Sequence, residues 1–198
     1  YGPPGLALDA SGFVYASDFG NHRIQKFDSN GKFITLWGQY GSGKGELSGP
    51  SGMAVDELGH IYVAEDGNHR IQKFDSNGNF IGMWGREGSG RGKFYFPEDV
   101  AVNAEGFVYV ADTNNNRIQK FKSTGRFVDS WGQNSKKGYF NEPCGIAVDA
   151  NGLVIVADTG NHRIQLFESK KGKFLAVFGS KGVSEGRFQY PRGVAVTK

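Results

Sequence analysis

Apolar positions along this chain fall in short runs of about five residues, separated by glycine-bearing polar clusters. No window sustains a 3.6-residue apolar period, so the pattern predicts strands and essentially no helix. Residues 50–96 illustrate it. Four strand candidates, Gly52–Asp56, Ile61–Glu65, Arg70–Phe74 and Phe80–Gly85, are separated by turns. Glu57-Leu58-Gly59-His60 supplies the first turn, and Asp75-Ser76-Asn77-Gly78 is a strong hairpin signal. Phe80, Ile81, Met83 and Trp84 place apolar side chains on both faces of one strand, which requires a sheet covered on both sides.

The pattern repeats. Asn21-His22-Arg23-Ile24-Gln25-Lys26-Phe27 recurs unchanged at 68–74, as Asn115-Asn116-Arg117-Ile118-Gln119-Lys120-Phe121, and as Asn161-His162-Arg163-Ile164-Gln165-Leu166-Phe167. The spacings are 47, 47 and 46 residues. A Pro-x-Gly marker followed by apolar-Ala-apolar starts at Pro3, Pro50, Pro97 (Asp99 replacing Gly), Pro143 and Pro191. Four-stranded units of this length, each sandwiched between neighbours, are β-propeller blades in an all-β fold. The expected blades are 3–49, 50–96, 97–142 and 143–190, with an extra innermost strand at 191–198. A closed four-bladed ring needs one innermost strand per blade. The fifth copy therefore predicts an arc of a larger ring, completed by further blades or by self-association.

The run Pro-x-Gly-apolar-Ala-Val-Asp followed by Tyr-Val-Ala-Asp-x-x-Asn-His-Arg-Ile-Gln-x-Phe resembles the NHL repeat along the whole chain. That resemblance implies a six-bladed propeller. It leaves function open among protein-binding and RNA-binding domains, extracellular sensor domains, and metal-dependent lyases or hydrolase-like relatives.

Composition narrows these options modestly. The 31 glycines among 198 residues serve the many turns, and six prolines are too few for a disordered Pro/Gly-rich chain. A net charge of +3 from 23 basic and 20 acidic residues is weaker than a dedicated nucleic-acid binder carries. No apolar run is long enough to insert in a membrane. Cys144 is the single cysteine, so no internal disulfide forms.

The repeated polar residues read as scaffold. His22, His69 and His162 sit on separate blades, too far apart to share a metal ion, so a structural role is expected. Asp18, Glu65, Asp112 and Asp158 each precede an arginine by five residues, at the two ends of a tight hairpin. A charge-assisted latch is expected there, the carboxylate also accepting N–H groups of the turn. Four arginines offered to a polyanion is the weaker alternative. The glycine-rich inter-blade loops, such as Gly41-Ser-Gly-Lys-Gly-Glu46, lack the Lys-Ser/Thr and the following helix of a phosphate loop. Leu47, Phe94, Phe140 and Phe188, three residues before each proline, are expected to plug the gaps between blades.

Function is then sought where blades differ. The residue after each proline varies: Pro4, Ser51, Glu98, Cys144 and Arg192. This position is expected near the mouth of the central channel. Glu98-Asp99 is the sharpest departure, with the two side chains expected on opposite strand faces. The same loop face carries Lys44, Arg86, Arg91, Lys93, Lys136, Lys137, Lys181 and Arg187, interleaved with Tyr40, Tyr95, Phe96, Tyr139 and Tyr190. Such a mixture suits a protein partner or single-stranded RNA. Ser51, Arg91, Lys93, Tyr95, Glu98, Asp99, Tyr139, Cys144 and Arg192 are the candidate partner-binding residues. No catalytic cluster, cofactor or metal site is expected. A recognition scaffold, not an enzyme, is the preferred function, ahead of an RNA-binding propeller and of a metal-dependent lyase or hydrolase.

Overall fold

The computed structural model describes residues 5–133 and 138–196. The strands run β1 (Leu6–Leu8), β2 (Val14–Asp18), β3 (Arg23–Phe27) and β4 (Phe33–Trp37) in the first sheet. The second holds β5 (Pro50–Val55), β6 (Ile61–Glu65), β7 (Arg70–Phe74) and β8 (Phe80–Trp84). The third holds β9 (Pro97–Val102), β10 (Phe107–Asp112), β11 (Arg117–Lys122) and β12 (Phe127–Trp131). The fourth holds β13 (Pro143–Val148), β14 (Leu153–Asp158), β15 (Arg163–Glu168) and β16 (Lys173–Phe178). Each sheet is antiparallel in sequence order, and the four inner strands β1, β5, β9 and β13 adjoin one another in turn. These are the blades of a β-propeller. Among the described residues the only helical elements are three single 3-10 turns between second and third strands.

The turns follow from their residues. Asp56 Oδ1 accepts the N–H groups of Leu58 and His60, and Asp75 Oδ1 those of Asn77 and Asn79, so each aspartate closes its own hairpin.

Three apolar clusters each span two blades, which explains strands that are apolar on both faces. Tyr15, Ile24 and Leu47 pack on Met53, Ile61, Val63 and Phe74. Tyr62, Ile71 and Phe94 pack on Val108, Val110 and Phe121. Tyr109, Ile118 and Phe140 pack on Ile146, Val154, Val156 and Phe167. Leu47, Phe94 and Phe140 plug the gaps as expected, each side chain closing on a glycine of the outer loop (Gly38, Gly85, Gly132). Buried at about 1.5–3 kcal/mol each, these plugs are a main tie between sheets. A second tie is the indole face of Trp37, Trp84 or Trp131, against which the hairpin glycine of the next blade (Gly78, Gly125, Gly172) lies flat. The buried ammoniums of Lys26 and Lys120 complete the contact. Each donates to a hairpin carbonyl of the next blade, Ser76 at 2.9 Å and Ser169 at 2.8 Å, while lying over Phe13 and Phe107.

Both ends of the arc present apolar faces. Leu6 is 64% exposed, whereas its counterparts Met53, Val100 and Ile146 are buried under the preceding blade. Phe178, standing where Trp37, Trp84 and Trp131 pack, is 50% exposed, and Phe188 is only half-buried. Residues 191–196 occupy the place of a fifth inner segment: Thr159 Oγ1 donates to the Pro191 carbonyl as Thr113 does to Pro143. They form no strand ladder, because an inner strand pairs with the second strand of its own blade and the described residues contain none for it. Pro3, Pro4, Lys136 and Lys137 lie outside the described residues, as do 197 and 198.

Candidate functional site at the channel mouth

The repeated polar residues are committed to joining blades. Asp112 accepts from Arg117 Nε (2.6 Å), Asn115, Gln119 and the Tyr95 backbone N–H (2.8 Å). Arg117 turns its remaining N–H groups onto the carbonyls of Ser89, Gly90 and Lys93, at 2.7 to 2.8 Å. Glu65 and Arg70 hold the loop 42–48 in the same way, and Asp158 and Arg163 hold Asn141 and Tyr139. The latch is therefore real, but the carboxylate takes its backbone N–H from the incoming inter-blade loop, 17 residues upstream, and not from its own turn. Arg70 and Arg117 are buried, which removes them as polyanion contacts.

The histidines serve the same joint. His22, His69 and His162 adopt the left-handed conformation (φ 53 to 56°). Each accepts at Nδ1 the backbone N–H of the residue before the next proline: Gly49, Phe96 and Tyr190, at 3.0 to 3.1 Å. Asn116 does so with Oδ1, from Glu142 at 2.8 Å.

The departures from the repeat gather at the channel mouth. A cavity of about 470 Å³ there is lined by Gly5, Ser51, Gly52, Glu98, Asp99, Cys144, Gly145, Arg192 and Gly193, among others. Five of the nine sequence candidates (Ser51, Glu98, Asp99, Cys144, Arg192) thus meet in one place. Glu98 and Asp99 were expected on opposite faces, yet both line the cavity. The pairing of β9 with β10 slips by one residue: Asp99 opposes Ala111, Pro97 opposes Asp112, and Glu98 is the bulged residue between them. β5 and β13 carry the same irregularity.

Asp99 spans the gap to the next blade. Its Oδ2 accepts the Ile146 N–H at 2.9 Å and its Oδ1 the Val100 N–H at 2.8 Å. Burial nonetheless raises its carboxyl to about 7, the two N–H groups opposing and Glu98 adding to the shift. Burial likewise lifts Asp66 to about 6, with the charges of Glu98 and Glu65 adding. Asp66 stands where Thr113 and Thr159 donate a hydroxyl to the next proline carbonyl. Sequence reasoning missed it, although Phe19, Asp66, Thr113 and Thr159 form a variable position as visible as the others. The Cys144 thiol lies 3.4 Å from the Glu142 carbonyl, and burial pushes it up to about 12. Arg192 Nη1 reaches over to Glu98 at 3.9 Å.

The other four candidates stand outside the cavity. The Arg91 guanidinium lies 5.8 Å from the Phe127 ring centre. Lys93 packs its stem on Gly88. The Tyr139 ring faces the Arg163 guanidinium at 4.7 Å. Tyr95 packs against both His69 (5.6 Å) and Phe96 (4.9 Å). Phe96 meets His69 edge-on at 4.7 Å, and Tyr190 meets His162 at 4.3 Å. Phe96, Glu142 and Tyr190 precede their prolines at φ 50 to 52°, where Gly49 stands in the first joint at φ 57°. That region suits glycine, and a bulky side chain there is strained.

The sequence pattern defining the NHL repeat matches residues 1–27, 47–74, 94–121 and 140–167, more than half of the chain. The chain belongs to the NHL repeat family. The RING finger protein nhl-1 of Caenorhabditis elegans is 42% identical over 45 residues, 23% of this chain and 5% of that protein. Among solved structures, a streptogramin B lyase superposes with a TM-score of 0.67 at 18% identity, covering 88% of this chain and 53% of its own. A catalytically inactive virginiamycin B lyase from Staphylococcus aureus with quinupristin gives 0.71 at 15%, covering 96% and 58%. A nidogen/laminin complex also gives 0.71 at 15%, covering 89% and 63%. The chain spans a little over half the length of these structures, and at such identities the likeness is one of fold. The NHL propeller fold supports a scaffold or binding role.

Proposed function

We propose that this NHL propeller is a non-catalytic recognition scaffold that binds a protein partner through its loop face. The observation that carries it is a division of labour. The repeated charged and imidazole groups are consumed in joining blades, while five aromatics (Tyr40, Tyr95, Phe96, Tyr139 and Tyr190) stay exposed around one end of the channel. Exposed aromatics on a rigid scaffold are the usual anchors of protein interfaces. The Cys144 thiol is held protonated by burial, with the Glu98 carboxylate adding to the shift, and is a poor nucleophile. The nidogen/laminin neighbour supports partner binding as a use of the architecture, and the lyase neighbours support catalysis. The exposed apolar faces of the first and fourth blades support completion of the ring by further blades.

Affinity capture with the chain carrying a crosslinker tests the loop face. A partner lost on Tyr95→Ala plus Tyr139→Ala, yet retained on Leu58→Ser at the opposite face, supports the proposal. Retention in all variants refutes it. If single-stranded RNA is captured instead, with salt-sensitive affinity reduced by Arg91→Glu and Lys93→Glu, the RNA-binding alternative replaces it.

A further inference from the structure

We infer that the loop face around the second, third and fourth blades seats a basic peptide segment, whose lysine or arginine side chain enters the channel mouth. This rests on the proposal that the loop face is the docking surface, and adds the chemistry of the partner.

The exposed rim is aromatic. Tyr95 and Phe96 pack together on His69, and Tyr190 stands on His162 farther around the channel. Aromatic faces attract both apolar side chains and cations. Inside the rim acidic side chains outnumber basic ones. Glu98 and Asp99 line the cavity, Asp66 lies close enough to Glu98 for their charges to interact, and among the described residues Arg192 is the one cationic side chain lining it. With Asp99 and Asp66 pushed up to about 7 and 6, the mouth keeps a modest acidic excess over Arg192, in a chain whose net charge is +3. Of the basic residues of the same face, Arg91 turns to Phe127, Lys93 lies along Gly88, and Arg163 is bound to Asp158. Charge complementarity therefore selects a cation. A volume of about 470 Å³ accommodates a long side chain. The same placement marks Arg192, 3.9 Å from Glu98, as an internal competitor for that position.

Phe96 allows binding to be separated from folding. Its backbone conformation is one in which Gly49 serves at the first joint, so Phe96→Gly keeps the hydrogen bond to His69 Nδ1 and relieves the strained φ. Fluorescence anisotropy on the full chain would use three labelled probes: a Gly-Ser decapeptide with two arginines, its counterpart with two glutamates, and a ten-nucleotide oligouridylate. The arginine peptide is expected to bind best. Glu98→Gln weakens it about tenfold, Phe96→Gly weakens it similarly with a urea midpoint no lower than the parent's, and Arg192→Ala tightens it. Preference for the glutamate peptide, abolished by Tyr95→Ala, overturns the cation assignment and leaves the docking surface standing. Binding of no peptide, binding indifferent to Glu98→Gln, or preference for the oligonucleotide overturns the inference outright.

Discussion

Replacing Arg117 by alanine tests the claim that the repeated arginines are structural joints. Arg117 is buried and makes four charge-assisted bonds: one to Asp112, and three to carbonyls of the loop joining the second and third blades. Truncation leaves the Asp112 carboxylate buried with only neutral donors and leaves the Ser89 and Gly90 carbonyls short of a partner. Breaking a buried pair in this way costs about 3–5 kcal/mol. Arg23 is the internal control. It holds Asp18 at 2.8 Å, but its side chain is 34% exposed and no incoming loop crosses it among the described residues. Surface pairs of that kind contribute about 0.2–1 kcal/mol. Urea unfolding of the two variants, read as midpoint at unchanged slope, should therefore separate them by at least about 2 kcal/mol. Equal losses from Arg23→Ala and Arg117→Ala would refute the reasoning, since they would place the energy in the shared Asp–Arg pair and not in the loop carbonyls.

His162→Asn should cost under about 0.5 kcal/mol, because Asn116 already performs that role, whereas His162→Leu should cost about 1–2 kcal/mol from the lost acceptor and the disfavoured backbone; chemical denaturation distinguishes them. Phe94→Ala should lose about 3–5 kcal/mol as a fully buried plug, and Phe188→Ala well under half of that, by the same assay. Because the folded carboxyl of Asp99 is raised to about 7, its contribution to stability is full below pH 4 and is lost as pH rises through 7. Asp99→Asn should flatten the decline between pH 4 and 8 by on the order of 2 kcal/mol, a discounted conversion at about 1.4 kcal/mol per unit. An unchanged pH profile of thermal unfolding would contradict that. The chain on its own should self-associate through its open blade faces, and light scattering that finds a compact monomer would show those faces stable in water.

The fold was legible because the repeat is: once Asn-His-Arg-Ile-Gln recurs with one spacing, strand, turn and plug positions follow from a single unit. What stayed hidden lies between units. The partner of each histidine is 27 or 28 residues ahead, at a backbone N–H that no side-chain pattern announces. The carbonyls held by Arg70 and Arg117 are likewise backbone atoms of an irregular loop. Facing was misjudged at Glu98-Asp99 because strand alternation holds only for an unbulged strand, and the bulge depends on how β9 pairs with β10. The channel candidates were found by comparing copies, which shows where blades differ. The same comparison, applied one residue after the latch acid, would have found Asp66.

The gathering of departures around the inner strand of the third blade is itself an argument about function. Where the second blade meets the third, Asp66 stands where Thr113 and Thr159 donate a hydroxyl across the two later joints. Asp99, which reaches from the third blade to the fourth, puts a carboxyl where four of the five copies have glycine. Both aspartates are locally worse for folding than the residues used at equivalent positions. They are pushed up to about 6 and 7. Selection for stability alone has no reason to place two such choices within one channel corner, next to Glu98. A surface that gains free energy from them only when occupied does have that reason, and local conflicts of this kind are concentrated at functional sites.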